Sequence, residues 1–314
     1  MSRPVRRTSS TAGVQLAFVL HQWDWSETSL ILDLFTREQG RVAAVAKGAK
    51  RPYSQLRPVL MPFQRVQVTL GRSKAEKGGD GGGGSGGGEG SEIVTLRAAE
   101  YAGAGRVLPP GQLIAGFYLN ELLLKLLARD DPHEAVFDAY TDTLQALAEA
   151  ADDEAAAQAA LRAFELLLLR EIGVLPGLEL DTTTQDLLQP GRRYRLLPEA
   201  GLVRAGRDEL AALDGAQWLV LEAALAARAL GALRLACGTG LAALRPQLRA
   251  QLHYHLGSPQ LRTRQMMLDV RRLLDGPGAT PVVSPLTLGT ATEPPALRVA
   301  EPSPPNSLTS RSTP

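Results

Sequence analysis

The chain has 314 residues, room for two domains of ordinary size, and its 44% hydrophobic and 21% charged content is that of a globular protein. No run of 18 apolar residues occurs, which argues against a transmembrane helix. A lone cysteine, Cys237, rules out an internal disulfide framework and a cysteine zinc site. The first 13 residues carry Arg3, Arg6 and Arg7 without a signal-peptide core and read as a disordered basic arm. Together these features predict a cytoplasmic protein. The net charge of +1 hides an asymmetry. Residues 1–72 hold 11 Lys/Arg against 4 Asp/Glu, or +7; residues 106–172 hold 5 against 12, or −7; residues 241–275 hold 6 against 2, or +4. A basic first domain beside an acidic helical segment points to a polyanionic partner for the first part.

In chain order, residues 14–21 alternate apolar and polar, with Val14, Leu16, Phe18 and Leu20 on one side, and predict a first strand. Residues 21–28 form a polar loop with two tryptophans. Residues 29–37 predict a second strand, and Glu38-Gln39-Gly40 a hairpin turn with glycine where a positive φ is wanted. Residues 41–47 are the third strand, 48–62 a basic loop, 63–70 the fourth strand and 92–97 the fifth. Five short strands with one hairpin fit a small Greek-key barrel of the OB type, and periodicity alone fits an SH3-like barrel nearly as well. Residues 78–91 contain ten glycines in fourteen positions, a flexible insertion. Its G-x-G-x-x-G (Gly81, Gly83, Gly86) and its G-x-S-x-G around Ser85 lack the helix that must follow either motif, so they carry no chemistry.

Beyond residue 106 the period becomes 3.6. Residues 112–128 predict a central buried helix. The next helix is predicted to start at Asp131-Pro132, with proline in the first position, and to run to about 150; a third spans 153–172. Residues 174–203 read as a loop region with a short hairpin around 194–197. Helices resume at 216–230, 241–256 and 263–274. Residues 276–314, with nine prolines and eleven Ser/Thr, read as a disordered tail. The fold class expected is all-β plus all-α: an OB-fold domain over 14–103 and a helical domain over 106–275.

Candidate chemistry is sparse. His253 and His255, two apart on a helix, point about 200° away from each other and are poor joint metal ligands. His133 reads as a surface residue, and the carboxylates at 130–131 and 152–154 as helix caps. No nucleophile, base or metal set converges, so neither enzyme nor cofactor is expected. Cations do converge: Arg37, Arg41, Lys47, Lys50, Arg51, Arg57, Arg65 and Arg72 lie on or beside strands two to four, a track suited to phosphates. Trp23, Trp25 and Tyr53 are candidates to stack on bases; Trp23 reads equally as a plug of the barrel end, and Trp25 more as a plug than as a stacking ring. Arg262 and Arg264 flank Thr263 at a helix start and form a candidate secondary anion site.

The blocks Ala17-Phe-Val-Leu-His21, Trp25-Ser-Glu-Thr-Ser29, Asp33-Leu-Phe-Thr36, Gly40-Arg41-Val42, Val45-Ala-Lys-Gly-Ala49 and Pro62-Phe63 resemble the N-terminal domain of the RecO family. Leu96-Arg97 with Ala99-Glu100 continue the likeness. So do Gly116-Phe-Tyr-Leu-Asn-Glu-Leu122, Leu161-Arg162 with Phe164-Glu-Leu166, Gly173, Tyr194-Arg195, Pro198-Glu-Ala-Gly201 and Leu261-Arg262 with Arg264. The resemblance covers roughly residues 14–274. It implies an OB barrel followed by helices in a nucleoid-associated recombination mediator of DNA repair. Such a protein binds single- and double-stranded DNA and anneals complementary strands. With RecR it helps load RecA onto DNA coated by the single-strand-binding protein (SSB), whose C-terminal tail it contacts. Some members carry four cysteines as a zinc module over the stretch matching 174–203; here that stretch has Leu178, Asp181 and threonines and no cysteine, so the zinc role does not carry over. The alternative is a protein-binding adaptor whose basic barrel meets an acidic tail. A tail receptor needs an apolar pocket rimmed by cations. It is expected within 106–274, near the leucines of 122–127 and 166–169, with Lys125, Arg129, Arg162 and Arg170 as its cations.

Overall fold

The computed structural model describes residues 13–71, 93–103, 107–206, 209, 211–257 and 261–275. The expected basic arm, glycine-rich insertion and Pro/Ser/Thr-rich tail, and Arg72, lie outside these. Residues 1–270 form one compact unit and 271–314 a second, of which only 271–275, helical, are described.

Strands β1 (Val14–Asp24), β2 (Leu30–Thr36), β3 (Gly40–Ala46), β4 (Arg65–Gly71) and β5 (Val94–Tyr101) close a barrel in the order β1-β2-β3-β5-β4, and the short helix α1 (Leu56–Val59) lies between β3 and β4. β3 pairs with β5 in parallel, at Ala44↔Val94, while β1 pairs antiparallel with both β2 and β4. This OB arrangement decides between the two barrels that periodicity left open. Inside sit Ala17, Val19, Leu32, Leu34, Val42, Ala44, Val66, Val68 and Leu96. At the β2–β3 turn Gly40 adopts φ +70°.

The apolar face expected for β1, with Leu16, Phe18 and Leu20, points out of the barrel, and Ala17 and Val19 point in. Alternation assigns the Asp33 and Phe35 face of β2 to solvent, yet both outer faces are buried. Phe18 and Phe35 point away from the barrel interior and pack on Phe137 at ring-centroid distances of 5.2 and 5.4 Å, with Tyr140 beside them at 4.9 Å from Phe18. Phe137 and Tyr140 belong to α3 (Glu134–Ala150), which with α2 (Leu113–Leu126) and α4 (Glu154–Glu171) begins the helical part. Barrel and helices thus share a hydrophobic core that also takes in Leu20, Leu119, Leu123 and Phe164.

Pro132 is not the first residue of α3, as expected; the helix begins at Glu134. The reason is a clamp on β3. Asp130 N–H donates to the Arg41 carbonyl at 2.9 Å with Asp130 at φ +56°, which holds the segment ahead of α3 out of helical geometry. α4 starts as expected, with Asp153 accepting from Ala156 N–H at 3.0 Å.

The stretch read as mostly loop contains β6 (Arg193–Leu197) and β7 (Gly201–Arg204), joined by β8 (Leu213–Asp214) into a three-stranded sheet. Then follow α5 (Gly215–Ala226), α6 (Leu230–Thr239), α7 (Leu241–Leu256) and α8 (Arg262–Asp275). α6 was not expected. The Ala/Leu-rich sequence carries no proline there, and the break falls at Arg228, which takes φ +52°. Cys237 lies inside α6, fully buried, and burial pushes its thiol up to about 12. Among the described residues no helix is long and apolar enough to cross a membrane.

Candidate functional site

Two surfaces collect cations, most of them without an ion pair to a described residue. The first is one end of the barrel. β-sheet register sets Trp23 on β1 opposite Ile31, and Ile31 opposite Val45, so the loop of residues 25–29 and the segment after β3 share an edge. They are tied by Lys50, whose N–H donates to the Thr28 carbonyl (3.0 Å) and whose Nζ bonds Asp24 (3.1 Å) and the Ser26 carbonyl (3.2 Å). Three aromatic rings stand open here: Trp23 (43% exposed), Trp25 (62%) and Tyr53 (94%). Trp25 is therefore not a plug of the barrel. His21 braces Trp23 edge-on at 4.4 Å. Lys47, Arg51 and Arg57 are exposed on the same loops and on α1, with no ion pair to a described residue.

The other barrel cations do different work. Arg41 is buried. Its guanidinium bonds both oxygens of Asp33 and donates to the Leu124 and Leu127 carbonyls at 2.6 and 2.7 Å. Four bonds from one side chain cap the C-terminal end of α2 and fasten it to the barrel. Arg37 spans to α3, pairing with Glu134 at 2.6 Å and Asp138 at 3.0 Å. Arg65 donates to the Ala102 carbonyl at 3.0 Å. Of the eight cations expected on a phosphate track, the structure leaves Lys47, Arg51 and Arg57 free among the described residues, with Lys50 half engaged.

The second surface is a groove among α2, α4, α7 and α8. Leu161, Leu252, Leu261 and Met267 give it an apolar lining, and Arg162, Arg245, Arg249 and Arg264 surround that lining with cations. Arg245, Arg249 and Arg264 have no ion pair to a described residue. Burial, then Arg264 and Arg162, lower the pKa of Arg249, where positive charges crowd together. On the floor Arg162 Nη2 pairs with Glu165 Oε1 at 2.7 Å, and the Tyr118 hydroxyl donates to the same oxygen at 2.6 Å. Burial raises the Glu165 carboxyl despite the neighbouring Arg162. Arg162 Nε is buried with no hydrogen-bond partner.

Of the four cations expected near a pocket, only Arg162 lines this groove. Lys125 pairs with Glu121 at 3.5 Å, Arg129 with Asp33 at 3.3 Å and Arg170 with Glu222 at 2.6 Å. The expected leucines Leu122, Leu123 and Leu166–Leu169 are core. The candidate anion site at Arg262 and Arg264 is also arranged differently. The backbone N–H groups of Arg262 and Thr263 both donate to Glu121 at 2.9 Å, and the Thr263 hydroxyl does so at 2.6 Å. The helix start holds an internal carboxylate, and Arg264 turns into the groove instead.

The sequence matches the description "Recombination protein O N terminal" over residues 14–78 and "Recombination protein O C terminal" over 110–265. The chain belongs to the RecO family. It is 50% identical over 263 residues to the DNA repair protein RecO of Polaromonas sp. strain JS666, covering 83% of this chain and 98% of that one. To the DNA repair protein RecO of Verminephrobacter eiseniae it is 52% identical over 260 residues, covering 82% and 96%. To that of Variovorax paradoxus it is 52% identical over 265 residues, covering 82% and 96%. A role in DNA repair follows from this membership.

The four-cysteine zinc module expected of some family members would fall on residues 174–203, which contain no cysteine. Among the described residues no three His, Cys, Asp or Glu side chains are grouped to hold a metal. The matching stretch is held by other means. Glu222 from α5 bonds Arg170 through both oxygens and accepts from Leu178 N–H at 2.8 Å, while Leu178, Leu188 and Tyr194 are buried in the core.

Proposed function

We propose that the chain is a non-catalytic recombination mediator that binds DNA at the end of its barrel that carries Trp23, Trp25 and Tyr53, and an acidic protein tail in its helical groove. The carrying observation is the set of three exposed rings, Trp23, Trp25 and Tyr53, among Lys47, Arg51 and Arg57. Exposed aromatics cost solvation and seldom cluster without a ligand, and rings among cations suit unpaired bases on a phosphate backbone. Cations of this kind grip either strand form without reading sequence, which supports binding of single- and double-stranded DNA and pairing of complementary strands.

The groove suits a peptide ending in an apolar residue and a free carboxylate, because apolar lining and uncompensated arginines lie together. In a RecO-type protein the matching partner is the SSB C-terminal tail. The reading then follows the family: with RecR, the chain helps RecA load onto SSB-coated single strands, near the nucleoid. The adaptor alternative, in which the barrel itself takes the acidic tail, has less support, since the apolar-plus-cationic groove lies among the helices.

The test is a salt titration of oligonucleotide binding. Affinity for a mixed-sequence single strand should fall linearly on a log–log plot, and K47Q/R51Q/R57Q together should flatten the slope by roughly 0.7 per lost contact. Equal affinity at low and moderate salt would sink the barrel reading. For the groove, R249E/R264E should abolish binding of a tail peptide to the full chain while leaving DNA affinity unchanged.

A further inference from the structure

His253 projects from α7 into the arginine groove, half-buried, with its Nε2 3.5 Å from Arg264 Nη1. An arginine can only donate, so the ring nitrogen facing it presents its lone pair, and the ring proton belongs on Nδ1. Facing Arg264, the imidazole is therefore neutral and serves as an acceptor. The charged groups that act on it most are arginines. Arg249 lies one turn back on α7 and Arg264 faces it from α8; α4 contributes Arg162, whose charge is already met by Glu165, and α2 contributes the neutral Tyr118. Burial, then Arg264 and Arg249, hold the ring below its ordinary range.

We propose that His253 is a ligand-reading residue of this groove, which takes up a proton when an anionic chain end arrives between Arg249 and Arg264. The inference rests on the groove being a peptide-carboxylate site. A carboxylate that accepts from Arg264 removes the donor occupying the Nε2 lone pair and neutralises the charges that keep the ring unprotonated. The freed nitrogen binds a proton from solvent and donates it to the incoming oxygen as a third, charge-assisted bond. The sign follows. The bound complex holds more protons than its separated parts, so affinity rises as pH falls through the histidine range and is flat above it.

Calorimetry reads this directly. An N-acetylated acidic peptide with a C-terminal apolar residue and a free carboxylate is titrated into the full chain at pH 6.5, in phosphate and in imidazole. Proton uptake appears as a difference in apparent enthalpy between the two buffers. H253Q, which keeps a side-chain amide in place, should remove the difference. Affinity of the natural chain should be several-fold higher at pH 6 than at pH 8, at most about sixfold for a one-unit rise in the ring's pKa on binding. Binding with the same enthalpy in both buffers would overturn the proposal and leave the groove reading standing. A buffer difference that persists in H253Q would also overturn it. No binding at either pH would overturn the groove reading and this inference with it.

Discussion

Arg41 on β3 and Asp33 on β2 form a two-pronged ion pair, Nε to Oδ1 at 3.3 Å and Nη2 to Oδ2 at 2.9 Å, sealed between the outer face of the barrel and the end of α2. A charge pair in that position is costly to open, and its guanidinium is committed to bonds inside the protein. Truncating Arg41 to Ala leaves Asp33 buried with only Arg129 beside it and frees two helix carbonyls. The expected loss is about 3–5 kcal/mol, the range for breaking a buried pair from one side. Urea unfolding followed by far-UV circular dichroism measures it. Under conditions where R41A remains folded, its salt slope for DNA should equal that of the natural chain. A shallower slope would return Arg41 to the phosphate track.

The three open rings should act on single strands. Y53A and W25A are each expected to weaken binding of an unpaired oligonucleotide by about 1–3 kcal/mol, the cost of a lost base stack. Binding of a blunt duplex, whose bases are already stacked on each other, should change far less. Fluorescence anisotropy on matched single- and double-stranded probes separates the cases, and equal losses on both would contradict stacking.

Gly40 has no tolerance for a side chain. Its φ of +70° is strained for other residues, and an added Cβ would lie 1.9 Å from the Asp131 carbonyl oxygen. G40A should destabilise the chain by at least about 1–3 kcal/mol through strain alone, more if the segment before α3 must move. A melting temperature equal to that of the natural chain would show the β2–β3 turn to be looser than described.

Much of this was legible in the sequence, and the failures share one cause. The strands, the hairpin glycine at residue 40 and the Asp153 cap are local signals, readable within a few residues. Arg41 was expected on a phosphate track because it lies among other cations on strands two to four, and its bonds to the Leu124 and Leu127 carbonyls come from a distant helix. Yet Asp33 and Phe35 alternate on the same face of β2 as Arg41's neighbours, and a phenylalanine on the supposedly wet face marks a covered one. The groove was expected among leucines close to cations in sequence. Three of its four cations, Arg245, Arg249 and Arg264, come from α7 and α8, more than a hundred residues from Tyr118, and no local pattern connects them. Glu121 satisfying the start of α8 is likewise a contact between distant segments, while in sequence the glutamate pairs as readily with Lys125.

That Glu121 contact sets a pH prediction. Burial pushes its carboxyl up, but bonds from Thr263 and Arg262 outweigh this and hold it below the ordinary value. A carboxylate with a depressed folded pKa stabilises the fold above its unfolded pKa and loses that contribution as pH falls through the folded one. The difference in melting temperature between the natural chain and E121Q should therefore be full at neutral pH and shrink toward zero below about pH 4, the unfolded carboxylate range. A difference independent of pH would mean that the carboxylate's charge is not what fastens α8.

Metal should be irrelevant to the stretch that replaces the zinc module. A chelator is expected to leave the melting temperature unchanged. E222A should lower it instead, by stranding Arg170 and the Leu178 N–H, at about 1–3 kcal/mol for the unsatisfied groups. Stoichiometric zinc in purified, untagged protein, with a chelator-sensitive melt, would refute this.

The packing of Phe18 and Phe35 on Phe137 and Tyr140 has a consequence for how the chain is made. The barrel strands are complete once residue 101 has left the ribosome, but their outer apolar face waits for α3, which ends at Ala150. At roughly 5–20 residues per second, that interval lasts on the order of 2–10 s. Throughout it, two phenylalanines and Leu20 face water on a nascent barrel, a surface that invites a chaperone or a second nascent copy. A ribosome stalled between these points should yield an aggregating product, whereas one stalled well beyond residue 150, with α3 clear of the exit tunnel, should not.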